Sequence, residues 1–146
     1  MTGYDPDEAL KLKNQLCFPL YAAARKVTGL YAPFLKPLGL TYTQYLVLMV
    51  LWENDGIPVN EICEQLYLDN GTVTPVLKKL EAEGLLLRTR SSQDERRVVI
   101  TLTDAGKALK KKAAMIPLKA GSCMCLSAED AAQLYRILYQ ILGKED

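Results

Sequence analysis

The chain has 146 residues, of which 49% are hydrophobic and 24% charged, and a formal net charge of +1. That composition describes one globular domain with enough apolar material for a core. There is no histidine, which removes histidine-assisted nucleophilic catalysis, histidine acid–base chemistry and most mixed-ligand metal sites. Four cysteines, Cys17, Cys63, Cys123 and Cys125, lack the paired CxxC spacing of a zinc ribbon. The longest strongly apolar run, Tyr45 to Trp52, falls well short of the roughly 20 residues that span a bilayer. The polar start Met1-Thr2-Gly3-Tyr4-Asp5 does not read as a signal peptide. The expectation is a cytoplasmic protein without membrane, metal or cofactor, whose thiols stay reduced unless they serve redox chemistry.

From Asp7 to about Leu35 the residues Leu10, Leu16, Leu20, Ala24, Val27 and Tyr31 recur at near-helical intervals, predicting one long helix or two consecutive ones. Cys17 lies inside an unbroken apolar run, Leu16-Cys17-Phe18-Pro19-Leu20-Tyr21, where a free thiol is by default core filler. Pro19 should kink the helix just after Cys17, unless the segment begins anew there. Pro33, Pro37 and Gly39 close the segment, and Thr41-Tyr42-Thr43-Gln44 has the form of a capping box opening a buried helix to about Glu53.

Two short helical segments follow, Asn60 to Leu66 and one carrying Val73, Val76, Leu77 and Leu80, separated by an expected turn at Asp69-Asn70-Gly71 and ended by Gly84 as a C-terminal cap. The outer face of the second offers Thr72, Thr74, Lys78 and Lys79, residue types suited to phosphates and base edges as well as to plain solvent. Leu85 to Arg90 and the β-branched Arg97 to Leu102 predict a hairpin with the charged tip Ser91-Ser92-Gln93-Asp94-Glu95-Arg96. Thr103-Asp104 should cap a helix running toward Ile116, with Pro117 stopping it and Cys123 and Cys125 in a linker containing Gly121. Ser127-Ala128-Glu129-Asp130 should open a last helix with Leu134, Leu138, Ile141 and Leu142 on one face. Between Lys78 and Lys112 ten basic residues face five acidic ones, a local net of +5 against −4 for the remainder, which suits phosphate neutralisation although it also suits a solvated helix face.

A helix-turn-helix followed by a hairpin wing, with apolar helices at both ends, resembles the MarR family of winged-helix transcription regulators. The resemblance covers nearly the whole chain and is strongest in Leu66-Tyr67-Leu68-Asp69-Asn70-Gly71-Thr72-Val73-Thr74-Pro75, in Leu77-Lys78-Lys79-Leu80 and in the wing string Asp94-Glu95-Arg96-Arg97. Together with Asn14-Gln15-Leu16-Cys17-Phe18, Leu40-Thr41-Tyr42-Thr43-Gln44-Tyr45-Leu46 and Leu51-Trp52-Glu53, these strings are similar to the organic-hydroperoxide resistance branch. The implied fold is mainly α with a small β-hairpin wing: a winged helix-turn-helix lobe over 42–103 between dimerisation helices at 7–38 and 104–144, with Pro75 in the first turn of the recognition helix.

The resemblance implies that Cys17 is a peroxide-sensing thiol, hydrogen-bonded by Tyr31 and Tyr42 of the partner subunit in an apolar pocket of Leu16, Phe18 and Leu20 that admits organic hydroperoxides. Oxidation then gives a sulfenic acid that a second thiol traps as an intersubunit disulfide, Cys123 being slightly preferred over Cys125. Cys63 is left as helix filler beside Ile62 and Leu66. Carried onto matching positions, Asn70, Thr72, Thr74, Pro75 and Lys79 contact DNA from the recognition helix. Arg96, oriented by an ion pair with Asp94, enters the minor groove, and Arg88 and Arg90 hold the backbone. The implied partner is an inverted-repeat operator bound by a homodimer in the reduced state and released on oxidation. Two other readings stay open: a regulator released by a phenolic ligand with Cys17 as core, and, from another class, a thiol peroxidase.

Overall fold

The computed structural model describes residues 3–144. Helices α1 (Pro6–Ala9), α2 (Cys17–Leu30), α3 (Ala32–Leu35) and α4 (Tyr42–Glu53) precede a short strand β1 (Ile57–Pro58). Then come α5 (Val59–Leu66), α6 (Asn70–Ala82), strands β2 (Leu86–Arg90) and β3 (Val98–Leu102), and helices α7 (Asp104–Ala113), α8 (Ile116–Ser122) and α9 (Ala128–Ile141). This is the mainly helical fold with a hairpin wing that the sequence predicts. The sheet has one more strand than expected. β1 pairs antiparallel with β3, giving the order β1-β3-β2, with Ile57 opposite Ile100 and Arg88 opposite Ile100 on the other side. Two residues including a proline carry too little alternation to read as a strand, and Pro58 sits on the edge where a missing donor is harmless.

The core gathers on α4. Val47, Leu48 and Leu51 are buried against Leu35 of α3, Ile62 of α5, Val73, Leu77 and Leu80 of α6, Leu86 of β2 and Ile100 of β3. The capping box that opens α4 is complete: Thr41 Oγ1 accepts the Gln44 amide at 3.2 Å, and Gln44 Oε1 accepts the Thr41 amide at 2.9 Å. α6 ends in a Schellman arrangement, with the amides of Gly84 and Leu85 donating to Glu81 and Leu80 and Gly84 at φ 75. α7 is fastened to the lobe at its start. Thr103 Oγ1 donates to the Gly84 carbonyl at 2.6 Å and accepts the Gly106 amide at 3.1 Å, while Trp52 Nε1 donates to the Gly106 carbonyl at 2.9 Å. A Cβ on Gly106 would stand 2.1 Å from the Leu85 carbonyl oxygen, so only glycine fits this approach.

Several expected boundaries move. The predicted first helix is broken into α1, a 3₁₀ turn at Leu12–Asn14, α2 and α3. α2 begins anew at Cys17, so Pro19 lies in its first turn, where an amide has no helical acceptor, and no kink is needed. The helix-turn-helix turn is Tyr67-Leu68-Asp69, with Tyr67 at φ 54, and Asn70 and Gly71 already belong to α6 because Asp69 is its N-cap. Pro75 is therefore inside α6 rather than in its first turn, where it withholds an amide from the carbonyl of Gly71. α7 stops at Ala113, and Pro117 starts α8 instead of ending its predecessor, its fixed φ suiting the second position of a helix. Gly121 is inside α8, and only the residues from Cys123 onward form the linker to α9.

No buried residue lies on α2 or on α9. Their apolar side chains, among them Phe18, Leu20, Tyr21, Leu134, Tyr135 and Ile141, are open to solvent in the single subunit. Cys17 is exposed, as is Leu16 at 85%, so the expected apolar pocket around the thiol does not exist within one chain. Nor does Cys17 fill the core of the single chain. No single helix among the described residues is long and apolar enough to cross a membrane.

Candidate nucleic-acid interface and thiol site

α6 is aimed by its cap. Asp69 Oδ1 accepts the Thr72 amide at 2.7 Å, and hydrogen bonds from the Thr72 side chain and then its amide hold the Asp69 carboxyl below its usual value. Beside the helix start, Asn70 and Thr74 join Asn60, Arg88, Arg96 and Arg97 around a cleft of about 490 Å³ between α5, α6 and the hairpin. Arg88 shares the strand face of Leu86, which is buried, so its side chain runs from the core edge into the cleft. Its Nε is shielded from water and has no hydrogen-bond partner among the described residues.

Of the residues expected to meet DNA, Asn70, Thr74, Arg88 and Arg96 come together in this cleft. Thr72, Pro75, Lys79, Arg90 and Asp94 are exposed and lie outside its lining. Asn60 and Arg97 were missed. Arg97 carried a signal, as a basic residue abutting Arg96; Asn60 carried none, because only the pairing of Pro58 with Val99 brings the start of α5 beside the hairpin. Asp94 meets Arg96 through the backbone rather than the guanidinium. Its Oδ1 accepts the Arg96 amide at 3.0 Å, and its carbonyl accepts the Arg97 amide at 3.0 Å, a local turn that shapes the wing tip.

Cys63 is buried at the contact of α5 with α6, and its Sγ donates to Asn70 Oδ1 at 3.2 Å. Burial, reinforced by Asp69, pushes this thiol up, which keeps it protonated and poorly nucleophilic. It is core filler as expected, with the addition that it holds one face of the Asn70 amide.

At the other end of the molecule, Tyr31, Tyr42 and Tyr45 form a ring cluster, with centroids 5.0 Å apart for Tyr31 and Tyr42 and 5.9 Å for Tyr31 and Tyr45. Burial, and then the neighbouring Tyr31, push the Tyr42 phenol above its usual value, so at neutral pH it is a hydrogen-bond donor. Cys17 and Tyr31 bracket α2, a separation of about 20 Å along the helix axis at 1.5 Å per residue. A thiol–phenol hydrogen bond between them can form only across two subunits. Cys123 caps α8 and Cys125 follows in the left-handed region at φ 55; both are exposed and line a groove of about 310 Å³ with Ala23, Val27, Leu30 and Leu134. All four cysteines are free thiols.

Residues 29–113 match the family model described as transcriptional regulator SarA/Rot. The organic hydroperoxide resistance transcriptional regulator of Bacillus subtilis is 50% identical over 133 residues, which span 91% of this chain and 90% of that one. Among solved structures, reduced AbfR bound to DNA is 37% identical, with a TM-score of 0.77 over 95% of this chain and 97% of that chain. Disulfide-formed AbfR, also 37% identical, gives 0.64 over 93% and 96%. With a winged helix-turn-helix whose arginine cleft flanks the recognition helix, the chain belongs to the SarA/Rot family of MarR-like winged-helix transcriptional regulators.

Proposed function

We propose that this protein is a cytoplasmic, redox-sensing repressor: a homodimer that binds an inverted-repeat operator while Cys17 is a thiol and leaves it when organic hydroperoxide oxidises Cys17. The observation that carries the reading is the pairing of two incomplete halves. One is the exposed strip Leu16-Cys17-Phe18 at the start of α2; the other is the Tyr31–Tyr42 pair at its far end, beside an apolar cleft of about 580 Å³ lined by Gly29, Ala32, Pro33 and Tyr42. Antiparallel packing of α2 against its symmetry mate would bring each half to the other, and the unburied faces of α2 and α9 require such a cover.

In that setting phenol donors favour the thiolate, and apolar walls favour an organic peroxide over a polar oxidant. The thiolate attacks the peroxide, giving Cys17 sulfenic acid and an alcohol. A thiol of the cysteine pair, Cys123 in preference to Cys125, then displaces water to form an intersubunit disulfide that turns one DNA-binding lobe against the other. The existence of a disulfide form of AbfR supports the scheme. At the other end, Asn70, Thr72, Thr74, Pro75 and Lys79 would face the major groove and Arg96 the minor groove, with Arg88, Arg90 and Asp94 setting the wing on the backbone.

The test is DNA binding by Cys17→Ser before and after hydroperoxide. The variant should bind as the parent does and stay bound; release of DNA on treatment would eliminate the thiol sensor in favour of a regulator that takes a small ligand in the cleft beside Tyr42.

A further inference from the structure

The chain carries two thiols where the capture of one sulfenic acid needs one. Cys123 and Cys125 are both exposed, and Cys125 Sγ lies 3.8 Å from the carbonyl oxygen of Cys123. Residues two apart lie within about 7 Å even when fully extended, and disulfides span Cα separations of about 4.4–6.8 Å. Both cysteines line the groove between α2 and α9, Cys123 Sγ donating to the Lys119 carbonyl at 3.3 Å, and the two-residue spacing keeps the Cys125 thiol within reach of a sulfur joined to Cys123. The left-handed backbone of Cys125, uncommon for a residue other than glycine, turns the chain there before α9 begins. Cys63, buried against Asn70, takes no part.

We infer that Cys123 and Cys125 form a second redox site, an intrachain disulfide that takes over the oxidation first captured by Cys17. The inference rests on the sensor reading above. Organic hydroperoxide oxidises the Cys17 thiolate to a sulfenic acid, its O–O bond breaking and the alcohol leaving. Cys123 of the partner subunit displaces water, forming the Cys17–Cys123 bond. The Cys125 thiolate, having lost its proton to solvent, attacks the Cys123 sulfur; the Cys123–Cys125 bond forms, the Cys17–Cys123 bond breaks, and Cys17 leaves as a thiolate that takes up a proton. No electrons are gained or lost in this last exchange. The subunit ends with a reduced sensor and its oxidising equivalent stored away from the DNA-binding switch. A first equivalent of peroxide then causes only a transient release of DNA, because the cross-link that turns the lobes is undone by the exchange.

Full-length protein on a labelled duplex, treated with one equivalent of cumene hydroperoxide per subunit and no added thiol, tests this. Non-reducing gels and peptide mass mapping follow the sulfurs while anisotropy follows the DNA. In the parent, the cross-linked dimer should rise and then decay to uncross-linked chains holding a Cys123–Cys125 disulfide, Cys17 becoming open to alkylation again as DNA binding returns. In Cys125→Ser and Cys125→Ala the cross-link and the loss of binding should persist about tenfold longer or more, because the intramolecular exchange is gone. A cross-link equally long-lived in parent and Cys125→Ser would overturn the relay and leave the sensor standing. Cys17 unmodified, or oxidised without any cross-link in parent and variants alike, would overturn the disulfide scheme together with the relay.

Discussion

Replacing Arg88 with glutamine isolates the contact proposed for it with the DNA backbone. The guanidinium shares a cleft with Arg96 and Arg97, and its Nε is already shielded from water without a partner, so the free protein bears the cost of holding it there. A phosphate oxygen would relieve both the lost hydrogen bond and the crowding of like charge. One phosphate contact contributes about 0.9 to the slope of log affinity against log salt, which at roughly 150 mM amounts to about a fivefold loss when it is removed. The charge-assisted hydrogen bond adds about 1.5 kcal/mol, another order of magnitude, for a total near fiftyfold. Fluorescence anisotropy on a random-sequence duplex across a salt series suffices, since a phosphate contact carries no sequence information. The thermal midpoint of free Arg88→Gln should stay level or rise slightly. An unchanged salt slope, or a loss of affinity matched by a loss of folding stability, would refute the assignment of Arg88 to a phosphate.

Three further outcomes follow from local geometry. Gly106→Ala drives a methyl group into the Leu85 carbonyl oxygen at 2.1 Å while Thr103 and Trp52 pin the same turn, so denaturant midpoints at fixed protein concentration should show a loss of about 3 kcal/mol. Thr41→Ala removes the side-chain half of the α4 capping box and should cost about 1 kcal/mol, read as a fall of about 2–4 °C in the thermal midpoint. Asp69 is held below its unfolded-state value by Thr72, so its contribution is complete above that value, near 3.9, and is lost as pH falls through the lower folded value. Asp69→Asn, which keeps an N-cap acceptor, should therefore show a shallower loss of stability than the parent between pH 5 and 2, by urea titration at each pH; parallel curves would remove Asp69 from the acid response.

What the sequence determined by itself was whatever rests on near neighbours along the chain. The α4 capping box, the Ser127 cap of α9, the apolar spacing of α6, the glycine cap at Gly84 and the β-branched run of β3 each depend on residues within about two helical turns of one another, and each stands where the sequence put it. Boundaries slipped where a proline had two compatible roles, since Pro19 and Pro117 fit the first turn of a new helix as well as the interruption of an old one. Tertiary structure alone decided which polar residues share a site: the edge pairing of Pro58 with Val99 carries Asn60 to the arginine cleft, where Arg88 lines the wall and Arg90 does not. It also reversed the surroundings of Cys17. An apolar run in a sequence promises burial without saying in what, and here the run lies on a helix with no buried residue, at the opposite end from the tyrosines it was matched to. A hydrophobic face that a single fold leaves uncovered needs a cover from outside the chain, and the proposed homodimer would supply it.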